Sequence, residues 1–328
     1  MAVLVTGGAG YIGSHMALGL LDRGEDVVVL DNLVTGVAAQ VPAAAVFVQG
    51  DVRDQALVRK IVAEQGVDAV VHFAGSTVVP ESVADPLKYY ANNTAATRDL
   101  LQVCAETGIE RFIFSSTAAV YGVTDADLVV ETAEKDPASP YGRSKLMSEA
   151  MLADLAAATP LRYVALRYFN VAGADPQGRT GQSTPGATHL IKRACQAALG
   201  RLPALGVFGS DFPTPDGTGV RDYIHVTDLV DAHMLALDHL RAGGKSDIFN
   251  CGYGSGFSVL DVCGAVERVT GRAVPTERQP RRPGDLGKVV ADSSKLKAAL
   301  NWTPRYASLD TIVEHAFRWE ERLAPAKA

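Results

Sequence analysis

The sequence predicts an α/β protein, a doubly wound parallel sheet with a second, smaller α/β lobe, and three observations carry that expectation. Short runs of Val, Ile, Leu and aromatic residues alternate with amphipathic stretches through the first half of the chain. Continuous apolar runs suit strands covered by helices on both faces, and regular strand–helix alternation gives a parallel sheet. A glycine-rich strand-to-helix turn stands at residues 6–13, where such a sheet begins. Beyond about Gly173 the texture changes to Gly-, Pro-, Ser- and Thr-rich segments between isolated helices, which marks the second lobe.

In order along the chain, strands are expected at 2–6, 26–31, 46–49, 69–73, 112–115 and 163–168. Amphipathic helices are expected between them at 11–23, 54–64, 86–106 and 140–157. Residues 173–186 read as a long surface loop leading to a helix at 190–199. Residues 207–208, then 211–222 with two Pro and two Gly, read as a hairpin or Ω-type loop. The helix-like 226–240 and strand-like 247–250 return to the first lobe. Residues 258–270, the segment 280–285 and a final helix at 309–323 complete the second. The expected division is therefore 1–172 with 222–253 in one lobe, and 173–221 with 254–328 in the other.

At 328 residues, 47% of them hydrophobic and 21% charged, the chain is an ordinary globular protein long enough for two lobes sharing a cleft. A formal charge of −6 with dispersed Lys and Arg argues against nucleic-acid or anionic-membrane partners, while leaving room for a local phosphate pocket. Cys104, Cys195, Cys251 and Cys263 show no C-x-x-C spacing, so buried reduced thiols are expected, without a metal site or disulfide framework. No signal-like leader opens the sequence and no apolar run reaches the ~18–20 residues of a membrane span. The expected location is cytoplasmic.

The first strand runs into Gly7, Gly10, Tyr11, Ile12 and Gly13 at G-x-x-G-x-x-G spacing, and then into a helix. Such a turn lets backbone approach a pyrophosphate, and the helix N-terminus offers it free N–H groups and a positive dipole end. The second strand ends in Asp31, followed by Asn32. An acidic residue there accepts hydrogen bonds from ribose hydroxyls and repels a 2′-phosphate, which selects NAD over NADP. Asp51 and Val52 follow the third strand, where an adenine edge can be met.

The fifth strand ends in Ser115-Ser116-Thr117, and Tyr141-Gly142-Arg143-Ser144-Lys145 opens a helix behind Pro140. Residues i and i+4 share a helix face, so Tyr141 and Lys145 project together toward the ligand edge of the sheet. A free phenol titrates near ~10, and a neighbouring ammonium together with an oxidised nicotinamide ring lowers that value toward a useful base. Thr117 is placed to hydrogen-bond the reacting hydroxyl.

With these motifs the chain resembles the UDP-glucose 4-epimerase family of extended short-chain dehydrogenases/reductases along almost its whole length. The carrying segments are 5–15, 72–75, 86–93, 114–122, 139–149, 166–173, 214–228 and 281–285. Of these, Tyr168-Phe169-Asn170 and Gly219-Val220-Arg221-Asp222-Tyr223-Ile224-His225-Val226 are the most specific to nucleotide-sugar members. The resemblance implies a Rossmann-type NAD-binding lobe and a UDP-hexose substrate. Tyr141 is then the base, Lys145 holds the nicotinamide ribose, and Thr117 assists. Phe73, Ala74, Gly75, Asn92, Ser115 and Tyr168 line the cofactor. Asn170, His189, Leu190, Phe208, Arg221, Tyr223, Arg282, Asp285 and Val289 face UDP and sugar. It further implies proton removal from the 4-hydroxyl with hydride transfer to NAD, rotation of the 4-keto sugar about its diphosphate link, and return of hydride to the other face. A homodimer built on the helices at 86–106 and 140–157 is implied as well.

Four positions depart from the family pattern, the mildest being Thr117 in place of Ser. Thr77 stands where many members carry a Lys, His189 where Asn is frequent, and Val289 where a bulky Tyr closes the sugar pocket, which leaves volume for N-acetylated hexoses. A 4,6-dehydratase needs an acid and a base beside its Thr, and Thr117-Ala118-Ala119 supplies neither. A decarboxylase calls for extra cationic contacts that nothing in the sequence singles out. A non-catalytic NAD-binding scaffold has no use for Tyr141, Lys145 and Thr117 together.

Overall fold

A computed structural model describes residues 1–122, 126–282 and 285–323. The first half contains β1 (Ala2–Thr6), α1 (Tyr11–Asp22), β2 (Asp26–Asp31), β3 (Val46–Gln49), α2 (Gln55–Gln65), β4 (Val67–His72), α3 (Val79–Ala84), α4 (Pro86–Tyr89), α5 (Ala96–Thr107), β5 (Arg111–Thr117), α6 (Pro140–Ala158) and β6 (Arg162–Tyr168). There follow β7 (Asn170–Ala172), α7 (Leu190–Ala198), β8 (Leu205–Phe208), β9 (Val220–His225), α8 (Val226–Arg241) and β10 (Asp247–Cys251). The chain continues through β11 (Gly256–Ser258), α9 (Val259–Thr270), β12 (Thr276–Gln279), β13 (Lys288–Val289), α10 (Ser294–Leu300) and α11 (Leu309–Arg322).

Seven parallel strands form the main sheet in the order β10-β6-β5-β4-β1-β2-β3. The chain therefore starts in the middle, winds outward through β2 and β3, and crosses back to β4, so the switch point lies between β1 and β4. Alternate residues of the buried strands supply two cores. Val3, Val5, Val71 and Leu166 pack under α1 and α8 on one face. Leu4, Val70, Phe112 and Phe114 pack under α2, α5 and α6 on the other. Such two-sided burial is why these strands read as unbroken apolar runs. Local signals set the ends of the helices. Asp54 caps α2, Ser139 caps α6 ahead of Pro140, and a Ser258–Asp261 capping box opens α9.

The second lobe gathers a separate core from α7, α9 and α11, with Ile191, Val266, Ile312 and Phe317 at its centre. A small sheet orders β11-β9-β13, with β7 also on β9, and β12 pairs with β8. Within the 254–328 stretch, α10 leans back, and Leu296, Leu300 and Trp302 bury in the core on the α1/α8 face of the main sheet.

Two expectations change in detail. The helix expected at 86–106 is three pieces, α4 and α5 joined by a π-helical turn at Tyr90–Ala95. That insertion rotates side chains off the regular 3.6-residue face, as π-bulges at functional sites do. The loop expected at 211–222 gives up its last residues to β9, because Val220, Arg221 and Asp222 pair with β11, and the first two with β13 as well. Of the segment 280–285, residues 283 and 284 lie outside the described residues. The four cysteines are free and buried. Among the described residues, no helix is long and apolar enough to cross a membrane, and no group of three or more metal-ligating side chains gathers.

Candidate active site

The carboxyl ends of β1, β2, β4, β5 and β6 bring the expected first-lobe residues to one edge. At the glycine turn, a Cβ on Gly13 would lie 2.2 Å from the Gly7 carbonyl oxygen, and one on Gly7 would lie 2.7 Å from the Ala74 nitrogen. The turn is thus a close-packed cradle that admits no side chain at Gly7 or Gly13. α1 begins at Gly10 with no side-chain cap and no acidic residue in its first turn, so its leading N–H groups and dipole are left for an anion. Asp31 is buried, and its two oxygens accept from Ala9 N (3.0 Å) and Leu33 N (2.8 Å). Each oxygen keeps a lone pair for ribose hydroxyls. Asn32 donates to Asp51 (3.1 Å), whose carboxyl is held down to about 2 by its bonds to Arg53, and Val52 is buried beside them. These features fit a dinucleotide.

Below the edge, His72 is fully buried and has its tautomer fixed by its neighbours. Thr97 gives its own hydroxyl proton to Asn93 O, so it accepts from His72 Nε2 (2.9 Å); His72 Nδ1 then accepts from Thr6 (2.7 Å). Burial pulls His72 down to about 3, helped by the Lys145 charge, so it stays neutral. Phe73, Ala74 and Gly75 continue from β4 to the surface, half-buried. Asn92 in the π turn donates to Ser76 (3.0 Å). Its neighbour Asn93 is a site residue that the sequence does not single out. It is buried, bonds Ser76 through both its amide groups, and donates to Ser144 (2.9 Å) on the base-bearing helix. Two adjacent Asn give no sequence signal as to which turns inward; the π turn decides. Thr77 is exposed.

Tyr141 and Lys145 are both buried on one face of α6. Burial pushes the Tyr141 phenol above its ordinary value, and the neighbouring Thr117 hydroxyl opposes that rise. Lys145 does not bond the phenol here. Its ammonium donates to Ser115 O (3.0 Å) and sits 4.9 Å from the Phe114 ring centre. Burial brings it down to about 8, with Glu149 opposing. Tyr168, at the end of β6, shares a short hydrogen bond with Ser115, and burial pushes its phenol up.

β7 sets Asn170 beside Tyr223, and β13 sets Val289 beside Arg221. Val289 also packs against the cluster holding Ala118, Tyr121 and Phe169, next in chain to Thr117. Arg221 is half-buried, without a carboxylate bond among the described residues, and burial lowers its guanidinium below its usual value. Arg282 bonds Asp285 (3.0 Å) and lies 4.4 Å from the Phe208 ring centre. His189 stands at the start of α7 ahead of Leu190, its ring edge-on to Tyr11 at 6.0 Å. A cleft behind that contact is lined by Tyr11, Gly173, Gln182, Lys192 and Glu320. Tyr11 spends its hydroxyl there on Gly173 O (2.7 Å).

A family model described as the NAD dependent epimerase/dehydratase family matches residues 3–252. A UDP-glucose 4-epimerase of Azospirillum brasilense is 55% identical over 321 residues, covering 98% of this chain and 92% of that protein. The chain belongs to the UDP-glucose 4-epimerase family. Among solved structures, a UDP-glucose 4-epimerase from Bifidobacterium longum in complex with NAD+ and UDP is 39% identical, with a TM-score of 0.93 over 98% of each chain. The UDP-Glc/GlcNAc 4-epimerase of Campylobacter jejuni is 44% identical, with a TM-score of 0.85 over 98% of this chain and 99% of that one.

Proposed function

We propose that the protein interconverts UDP-glucose and UDP-galactose by inverting carbon 4, with NAD held throughout. The observation that carries this reading is Tyr141 and Lys145 buried together on one face of α6, the Lys145 ammonium on the Ser115 carbonyl at the end of β5, with the glycine cradle at the same sheet edge. In this reading residues 1–172 with 222–253 bind the cofactor, and 173–221 with 254–328 bind the sugar nucleotide, except that β7 and β9 belong to the small sheet of the second lobe and α10 packs on the first.

The glycine turn with Tyr11 and Ile12 holds the pyrophosphate, Asp31 and Asn32 the adenosine ribose, and Asp51 and Val52 the adenine. Phe73, Ala74, Gly75, Asn92, Ser115, Lys145 and Tyr168 line the nicotinamide end. NAD, when bound there, supplies reversible hydride acceptance at carbon 4. Tyr141 takes and returns the 4-hydroxyl proton, and Thr117 orients that hydroxyl. The diphosphate falls to Arg221, Arg282, His189 and Leu190, with Phe208 under the uracil. Asn170, Tyr223, Asp285 and Val289 border the sugar. Tight grip on UDP with few contacts to the hexose is what lets the sugar turn over.

Val289 leaves space beside the hexose, so N-acetylated UDP-hexosamines are also taken. The likeness to the UDP-Glc/GlcNAc 4-epimerase of Campylobacter jejuni supports this breadth. Most of the apolar stripes on α5 and α6 are spent inside the chain, with Leu100, Leu101 and Val103 buried. Val83, Leu87 and Met147 stay exposed next to them, and a homodimer covers that face. The test is incubation of purified protein with UDP-galactose and no added NAD. UDP-glucose is the expected product; a 4-keto-6-deoxy sugar or no conversion rejects the reading.

A further inference from the structure

Tyr141, Lys145 and Glu149 occupy successive i+4 positions on α6, and all three are buried. Glu149 is a carboxylate in the core with every oxygen engaged. It accepts from Arg167 Nε (2.9 Å) and NH2 (2.5 Å), and from the Ser116 hydroxyl (2.5 Å). The network continues outward. Arg167 NH1 donates to Tyr121 OH (2.9 Å) and Glu131 O (3.2 Å), and Tyr121 OH donates to Asn250 (2.6 Å). Asn250 in turn donates through its backbone to Glu131 (2.8 Å) and through its side chain to Val129 O (2.7 Å).

Each tie lands next to a site residue. Ser116 lies between Ser115, whose carbonyl receives the Lys145 ammonium, and Thr117, which neighbours the phenol. Arg167 immediately precedes Tyr168. A buried ion pair is expensive, and an apolar pair of like volume often stabilises a core as well or better. Packing alone therefore gives no reason for this pair to stand one helical turn below Lys145.

We propose that Glu149 is a positioning residue for the epimerase reaction: held by Arg167 and Ser116, it locks α6 to the ends of β5 and β6 and supplies the counter-charge of Lys145. This rests on the function proposed above. Lys145 is faced by Tyr141 and Glu149 on its own helix, by the Ser115 carbonyl and Phe114 ring on β5, and by neutral His72 on β4. Tyr168 on β6 interacts with Tyr141. Glu149 is faced by Arg167, Ser116 and Tyr163. Among these groups Glu149 is the anion that opposes the effect of burial on Lys145.

Glu149→Gln tests this with two readouts. Isotope-labelled lysine, followed by magnetic resonance with Lys145→Met as the spectral blank, reports the titration of Lys145 without reference to turnover. It is expected to fall by about one pH unit, as loss of a neighbouring opposite charge requires. The alkaline limb of kcat moves the same way, with kcat about tenfold lower and KM within about twofold. An unmoved Lys145 titration, accompanied only by a lower Tm, overturns the proposal and leaves Glu149 structural. Where Glu149→Gln does not fold, Ser116→Ala decides: kcat about threefold lower at unchanged KM supports the lock, and unaltered kcat in folded protein rejects it. A wild-type chain that leaves UDP-galactose untouched defeats the epimerase reading, while the lysine titration still judges Glu149.

Discussion

The carboxyl rim of the main sheet and the loop rim of the second lobe hold their polar side chains by opposite means. At the sheet rim and just below it, Tyr141, Lys145, Glu149, Arg167 and His72 are all buried; Glu149, Arg167 and His72 are each held from two sides, and Lys145 is held by β5. At the loop rim, Arg282 pairs with Asp285 three residues on, Arg281 pairs with Asp211, and Phe208 is about one-third exposed. Groups that move protons need fixed geometry and a low dielectric, which burial provides. Groups that take up a charged nucleotide profit from mobile, hydrated side chains whose exposed pairs cost little to rearrange. The lesson is that preorganisation is concentrated where charge moves, while the binding rim stays adaptable.

The comparison predicts an order of effects. Tyr141→Phe is the severest: kcat for UDP-galactose falls by roughly a thousandfold while Tm and bound cofactor are kept; near wild-type turnover removes Tyr141 from its role. Val289→Tyr comes next, cutting conversion of UDP-N-acetylglucosamine by about a hundredfold and leaving UDP-galactose within about threefold. Parallel losses on both sugars in a product assay contradict the space argument. Arg282→Ala raises KM roughly tenfold, leaves kcat within about twofold and hardly moves Tm, since an exposed ion pair contributes about 0–1 kcal/mol; a kcat defect there would erase the contrast between the rims. The gentlest test is pH. Lys145 is charged below and neutral above about 8, so kcat declines as pH rises through about 8. A flat alkaline profile in steady-state rates contradicts a working ammonium.

Much of this was legible in the residues. The strands expected at 2–6, 26–31 and 46–49 match to the residue, because apolar runs bounded by Gly and Asp leave few alternatives. Tyr141 and Lys145 were legible because helix geometry fixes i and i+4. Asn93 was not, because a π turn changes which residue faces inward. Neither Glu149 nor Arg167 could be paired from the sequence, being eighteen residues apart on different elements.

By itself, then, the sequence determined the alternation of elements, the glycine cradle, the acidic end of β2 and the Tyr–Lys face, since each depends on spacing within one short segment. Only the tertiary structure decided that Lys145 turns to the Ser115 carbonyl, that Val289 joins the cluster of Tyr121 and Phe169, and that Glu149 is locked by Arg167. Those outcomes depend on which strands become neighbours and on what burial does to charge, and both arise only when distant segments pack together.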